Sequence, residues 1–177
     1  MRSFAGVGDR FLKEMTTLEG TTIRGTIMPA SDREAPAGVM SAPRVVLRTR
    51  RESEVTAGTI FRSPGGPLYL VGSYFAADND YCSWRIFLLE KQYEWTRKKA
   101  KKDDLTGLER TNGAEPMGMI WAAVEHERRL FTDPGLKLKT ERVLVVTNSP
   151  VKAGDLLDGQ LITRVTEDLG LYVAEHA

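Results

Sequence analysis

The sequence predicts a mainly β fold, built as a small barrel or sandwich. Many short segments are rich in β-branched and aromatic residues, and turn sequences such as SPGGP at 63–67 and ADND at 77–80 separate them. The second half of the chain also repeats short patterns of the first. Strands of this length and spacing are typical of small barrels and sandwiches. The predicted strands are 21–28, 43–50, 58–62, 67–76, 81–95, 118–126, 128–132, 142–147, 160–167 and 169–175.

One short helix is predicted before the first strand, over residues 8–18. Asp9 is a candidate N-cap, and Gly20 is placed to end the helix. Apolar residues at nearly helical spacing predict an amphipathic face. They are Phe11, Leu12, Met15 and Leu18.

Two segments are predicted to be long loops. Residues 29–42 contain two prolines and one glycine with few large apolar residues, which is typical of a mobile loop or one that orders on a partner. Residues 97–116 are charged and interrupted by glycine and proline, so we interpret them as a linker or long loop. This divides the chain into a β domain at 1–96, the linker at 97–116 and a second β-rich unit at 117–177.

The second half of the chain echoes the first at two places in the same order. RVVLRT at 44–49 matches RVLVVT at 142–147, an offset of 142 − 44 = 98. VTAGTI at 55–60 matches VKAGDL at 151–156, an offset of 151 − 55 = 96. A duplicated unit with a small deletion would give this pattern, and so would chance recurrence in Val-rich strands. The duplication predicts two related barrels in tandem, the second a degenerate copy.

Composition limits the classes of function. The chain has 177 residues with 25 Lys plus Arg against 24 Asp plus Glu, a net charge of +1, which argues against gripping nucleic acid over the whole surface. Its single cysteine excludes an intramolecular disulfide and a thiolate metal cluster. No signal-peptide pattern and no apolar stretch long enough to span a bilayer occur. We therefore expect folding in a reducing, cytosol-like compartment and no membrane partner.

The residues that carry chemistry are sparse. His126 and His176 are the only histidines, and neither has the spacing of a metal site. The chain contains no GxSxG elbow, HExxH motif or Walker loop. We therefore predict no catalytic residue, no cofactor-binding residue and no metal ligand, and we expect the protein not to be an enzyme.

The sharpest electrostatic feature is a basic run directly after Tyr93 and Trp95. The two aromatic residues could stack on bases, as in single-strand binders, but we favour a place for them in the core. For the basic residues, proximity to DNA and simple solubility remain equally open. The run consists of Arg97, Lys98, Lys99, Lys101 and Lys102.

An ordered series of features over residues 21–89 resembles a known family. An IRG strand, a Pro-containing loop, a PxxxxRT-type strand, an acidic turn, an AGT strand, an aromatic-Val strand and an Asp-rich turn follow one another. Together they resemble the head–tail joining (stopper or head-completion) proteins of long-tailed double-stranded DNA phages, the lambda type especially. The resemblance covers about residues 1–92. The matching residues are Ile23, Arg24, Gly25, Pro43, Leu47, Arg48, Thr49, Glu54, Gly58, Thr59, Tyr69, Val71, Asp78, Asp80 and Leu88.

The resemblance implies a virion protein assembled in the host cytoplasm as a ring in the phage neck. Such a ring, expected to be sixfold or twelvefold, would lie between the portal or adaptor and the tail terminator or tail tube. It would close the DNA-filled head, dock the tail and let genomic DNA pass through its lumen. The basic run would approach this channel or meet an acidic neighbouring ring. Candidate docking residues in the 29–42 loop are Asp32, Arg33, Glu34, Val39 and Met40.

Members of this family are short, whereas this chain continues for some 80 residues beyond the match, which leaves its layer within the neck open. An adaptor is expected to be mainly helical and a tail terminator to be α/β, so the strand-rich prediction favours the stopper. A different class of function, an OB-like nucleic-acid-binding module, is the alternative.

Overall fold

The computed structural model is mainly β, as the sequence predicts, and divides into two compact units. The first comprises Met1–Glu90 with Leu169–Leu171, and the second Lys91–Asp168 with Tyr172–Ala177. Each unit contains a closed six-stranded antiparallel barrel. The structure describes residues 9–29, 45–77, 80–102, 109–133 and 136–176.

The first barrel closes through its shortest strand. The strand order is β1-β2-β3-β6-β5-β4, and β4 returns to pair with β1, Thr16 facing Arg62 in the register. A single 3-10 turn at Asp9–Phe11 precedes the barrel. The strands are β1 Lys13–Thr17, β2 Thr22–Pro29, β3 Val45–Arg50, β4 Ile60–Arg62, β5 Leu68–Ala77 and β6 Tyr81–Leu89.

Apolar side chains from every strand fill the interior of the first barrel. Phe61 and Leu47 are completely buried at its centre. Gly72 lets the backbone of β5 approach β6 closely, because a Cβ at this position would lie 2.6 Å from Cε2 of Phe87. The core consists of Met15, Ile23, Leu47, Val55, Phe61, Val71 and Ile86.

The second barrel has longer strands and a similarly filled interior. Its strand order is β7-β8-β9-β12-β11-β10, and β10 returns to pair with β7, Leu157 facing Trp95. The strands are β7 Lys91–Lys102, β8 Glu109–Asp133, β9 Leu136–Thr147, β10 Leu156–Leu157, β11 Gln160–Asp168 and β12 Leu171–His176. The core consists of Trp95, Ile120, Ala122, Val145, Val151, Leu157, Ile162 and Ala174.

The two barrels share one topology. When the strands of each barrel are numbered along the chain, both orders become 1-2-3-6-5-4. The sequence echoes fall on equivalent elements, namely β3 with β9 and the turns before β4 and β10. In these turns the backbone N–H of Gly58 donates to the carbonyl of Val71 at 2.8 Å, and that of Gly154 donates to the carbonyl of Ile162 at 2.8 Å. A duplication would leave this correspondence.

The predicted helix over residues 8–18 is wrong. Only Asp9–Phe11 form a 3-10 turn, and Lys13–Thr17 form strand β1. Burial alternates along β1, with Met15 at 3% exposure and Thr17 at 7%. Pairing with both β2 and β4 satisfies the backbone of this strand and outweighs the weak local preference for a helix.

The segment interpreted as a linker, 97–116, is largely strand. Residues 97–102 end β7 and residues 109–116 begin β8, and the two pair with each other. The boundary between the units lies between Glu90 and Lys91, so the predicted strand 81–95 is divided between β6 and β7.

Two glycines, one inside the segment 97–116 and one just after it, lie at β-bulges of β8. Gly113 has φ 81° and follows the point where β8 gains one residue relative to β7. Gly118 has φ 115° and lies beside a second register shift, between Trp95 and Thr96. Bulges of this kind need a residue that tolerates positive φ, which glycine does without steric cost.

Candidate functional site

The basic run lies on the outer half of β7. Beyond Thr96, the described residues of β7 pair only with β8, so residues 97–102 and 109–116 form a two-stranded element that we call the basic ribbon. Lys98 is exposed and Arg97 is half-buried. Lys99, Lys101 and Lys102 continue along the same strand.

The ribbon concentrates positive charge. It contains six basic and two acidic residues, a net charge of 6 − 2 = +4 in a chain whose total is +1. The backbone register sets Lys101 opposite Arg110 and Lys102 opposite Glu109. The ribbon is therefore suited to an acidic partner.

Arg97 differs from the lysines because it is held by Asp155 in the second barrel. Its Nε donates to Oδ1 of Asp155 at 2.8 Å, and its Nη2 donates to Oδ2 at 2.9 Å. Nη2 also donates to the carbonyl of Pro150 at 3.2 Å. The guanidinium lies 5.1 Å from the ring centre of Trp95. These contacts fasten the base of the ribbon to the turn before β10.

Asp155 is a buried carboxylate with every contact directed inward. It is 2% exposed and also accepts hydrogen bonds from Nε1 of Trp95 at 2.9 Å and from the backbone N–H of Lys152 at 2.9 Å. Burial raises the pKa of Asp155, but the hydrogen bonds from Arg97, Lys152 and Trp95 outweigh it and hold the pKa below its usual range. The carboxylate is therefore ionised and structural.

The aromatic residues before the basic run lie in the barrel, as we expected. Trp95 is 6% exposed and belongs to the core of the second barrel. Tyr93 is half-buried and packs against that core, with Nζ of Lys91 4.3 Å from its ring centre. The face of Trp95 is consequently not available for stacking on a base.

The first barrel carries a second feature, an open groove that we call the polar groove. Its volume is about 800 Å³, and it lies between the β1–β2 turn and the β3–β4 connection. Hydroxyl side chains line much of it, and Oγ1 of Thr17 lies 2.7 Å from Oγ1 of Thr21. Its lining includes Glu19, Arg24, Glu52, Glu54, Thr56 and Thr59.

Acidic side chains outnumber basic ones around the polar groove. Glu19, Glu52 and Glu54 are exposed at its rim, whereas Arg24 is exposed and Arg50 is half-buried. Among the described residues, no group of three His, Cys, Asp or Glu is arranged to hold a metal ion. The groove therefore offers a polar, slightly acidic surface.

The candidate residues of the sequence analysis are only partly brought together. Arg97 through Lys102 share β7, while the docking candidates Asp32, Arg33, Glu34, Val39 and Met40 lie outside the described residues. Sequence reasoning missed Asp155 and the polar groove. The echo of VTAGTI in VKAGDL contained a signal, because it aligns Asp155 with Thr59 and so marks an acid in an otherwise similar turn.

The chain matches no family model, no curated protein and no solved structure. Within the described ranges, no helix is long and apolar enough to cross a membrane. Function has therefore to be argued from the residues and their geometry.

Proposed function

We propose that this protein is a structural virion protein that forms a ring in the neck of a long-tailed double-stranded DNA phage. In this role it binds the portal or adaptor on the head side and the tail terminator or tail tube on the tail side. It closes the DNA-filled head and docks the tail without covalent chemistry, while genomic DNA passes through the ring. The observation that carries the proposal is the ordered series of features over residues 21–89.

The first barrel supports this proposal because its elements coincide with those features. The IRG segment at 23–25 lies within β2, and Leu47–Thr49 lie within β3. Gly58 makes the turn before β4 with φ 89°. Tyr69 lies on β5. The pattern that resembles the joining proteins is thus the pattern of one closed barrel.

In this proposal residues 30–44, between β2 and β3, supply a docking element. Pro29 at the end of β2 pairs with Val45 at the start of β3, so the chain leaves and re-enters the barrel at neighbouring positions. A closed barrel has no free sheet edge at which a partner could add a strand, so inserts and extensions are suited to contact subunits and partners. Around a ring, weak contacts of this kind add up.

The strand-rich fold supports the stopper layer over the other neck components. An adaptor is expected to be mainly helical and a tail terminator to be α/β, whereas each unit of this chain is an antiparallel barrel. The second barrel enlarges the subunit beyond the short family members and adds the basic ribbon as a further contact.

Electron microscopy of particles made without this protein tests the proposal. We expect filled or leaking heads beside separate, finished tails when the gene is silenced in its phage, and joined particles when the wild-type protein is supplied in trans. Joined, infectious particles in the silenced infection would overturn the neck role. A variant with residues 30–44 replaced by a Gly/Ser linker of equal length should fold but fail to restore joining.

A second candidate is a nucleic-acid-binding module, which the +4 charge of the basic ribbon favours. Because Trp95 is buried, binding would be restricted to the phosphate backbone and would weaken steeply with salt. Fluorescence anisotropy with a labelled oligonucleotide at low salt tests it. Loss of binding in Lys98→Ala/Lys101→Ala would support the module, and no binding by the wild type would exclude it.

A further inference from the structure

We propose that the polar groove of the first barrel receives basic side chains from the basic ribbon of a second copy of this chain. This inference rests on the proposed ring, since it names the contact between neighbouring subunits. A groove and a ribbon on different units of the chain give a head-to-tail contact, which is the kind that closes into rings.

The basic ribbon offers an exposed surface to a partner. Within the described residues each of its strands pairs only with the other, so no further strand covers its outer edges. All of residues 113–119 are exposed, including Met117 at 40% and Met119 at 57%. Exposed methionines next to concentrated positive charge are typical of a protein-binding surface.

The second barrel shows what the equivalent of the groove binds. Phe61 pairs with Thr17 in the first barrel, and its counterpart Leu157 pairs with Trp95 in the second. Beyond this pair the two barrels differ, because β1 ends at Thr17 and Glu19 lies in the β1–β2 turn, whereas β7 continues through Arg97. The first barrel lacks the arginine that the second barrel places against its own turn.

The groove wall corresponds to the seat of Arg97. In the second barrel, Arg97 is bound by Asp155 and by the carbonyl of Pro150. The equivalent glycines Gly58 and Gly154 lie 96 residues apart. At the same offset Asp155 corresponds to Thr59 and Pro150 to Glu54. Thr59 and Glu54 both line the groove. The first barrel thus has Thr59 and Glu54 at the positions that hold Arg97 in the second barrel, and Glu19 also lines the groove.

The chemistry of this seat selects a cation. Glu19 and Glu54 provide exposed negative charge, and Thr56 and Thr59 provide hydroxyl acceptors. A volume of about 800 Å³ is within the usual range for a small-molecule pocket, so it admits several side chains but not a whole strand. The ribbon with its charge of +4 supplies such side chains, with Lys98 exposed on β7.

A charge-swap series on the full chain, measured by sedimentation velocity, tests the contact. We expect wild-type association that grows with concentration and weakens with salt. Glu19→Lys/Glu54→Lys and Lys98→Glu/Lys101→Glu should each weaken it by at least about tenfold. Combining the four changes should restore it. The control Glu167→Lys/Asp168→Lys alters the same number of exposed acids outside the groove and should leave association unchanged.

Mixing single-cysteine variants identifies the surfaces directly. Copies with Glu54→Cys and copies with Lys98→Cys should form a mixed disulfide on mild oxidation, whereas Glu167→Cys should not replace Glu54→Cys. The native Cys82 is buried and does not compete. A cross-link with Glu167→Cys at equal yield, or none with Glu54→Cys, would overturn the contact.

Failure of this contact is distinguishable from failure of the neck role. A wild type that stays monomeric at all concentrations, or a groove variant that associates like the wild type, overturns the groove proposal. Particle morphology in the silenced infection decides the neck role separately. The groove variant could lose self-association without recovering it when all four charge changes are combined. In that case the groove has another occupant, and the proposal fails.

Discussion

Arg97 and Asp155 form a bidentate ion pair although 58 residues separate them in the sequence, with Nε 2.8 Å from Oδ1 and Nη2 2.9 Å from Oδ2. The pair joins β7, where the basic ribbon begins, to the turn before β10. The same carboxylate binds the indole of Trp95, so the core of the second barrel and the ribbon are connected through one side chain.

Asp155→Ala should destabilise the protein by about 3–5 kcal/mol, because it leaves the guanidinium and the buried indole N–H without their acceptor. The loss of stability should lie at the lower end of this range, because 30% of the Arg97 side chain is exposed to water. Urea denaturation measures the change. The control Lys91→Ala removes the exposed pair with Asp158 and should destabilise the protein much less, because water screens this pair.

The stability conferred by Asp155 should disappear in acid. The pKa of Asp155 is depressed in the folded state, so its carboxylate stabilises the fold fully at pH values above the ordinary aspartate pKa. This stabilisation is lost as pH falls through the folded pKa. The difference in free energy of unfolding between wild type and Asp155→Asn should be largest near neutral pH and shrink below the ordinary value of about 3.9. A difference independent of pH would contradict an ionised Asp155.

His176 should make the protein less stable as pH falls below its ordinary pKa of 6.5. Burial lowers the pKa of His176, and its Nδ1 is buried with no hydrogen-bond partner in the described part of the chain. The unfolded chain therefore binds the proton at a higher pH than the folded chain does. The free energy of unfolding should rise as pH increases from the folded pKa of His176 to its ordinary value. In His176→Phe the slope of unfolding free energy against pH should be smaller, which calorimetry about one pH unit below and above the ordinary value would measure.

Gly58→Ala and Gly154→Ala should be destabilising to similar extents, about 1–3 kcal/mol each. Both residues lie at positive φ, 89° and 94°, in equivalent turns of the two barrels. Thermal unfolding of the two variants measures the effect, and Ala57→Gly next to the first turn is the control. Markedly unequal losses would contradict the equivalence of the two turns.

Much of the fold could be predicted because its signals are local. Runs rich in β-branched residues in 43–50 and 142–147 predict strands β3 and β9, and turn residues separate them from their neighbours. The position of Trp95 in the core also followed from its place in an apolar strand. The candidate site was less predictable. In the sequence Arg97 is indistinguishable from the lysines that follow it, and only the fold brings Asp155 beside it.

The sequence by itself determined that this protein is mainly β, where most of its turns lie and that its halves echo each other, since side-chain alternation and turn chemistry act between near neighbours. Tertiary structure alone decided that residues 13–17 form a strand, because β2 and β4 pair with it on both sides. It also decided that residues 97–102 and 109–116 are paired strands, because β7 and β8 supply each other's ladder and Gly113 and Gly118 lie at the bulges of β8. Pairing between distant segments leaves no local signature, and only the folded chain reveals it.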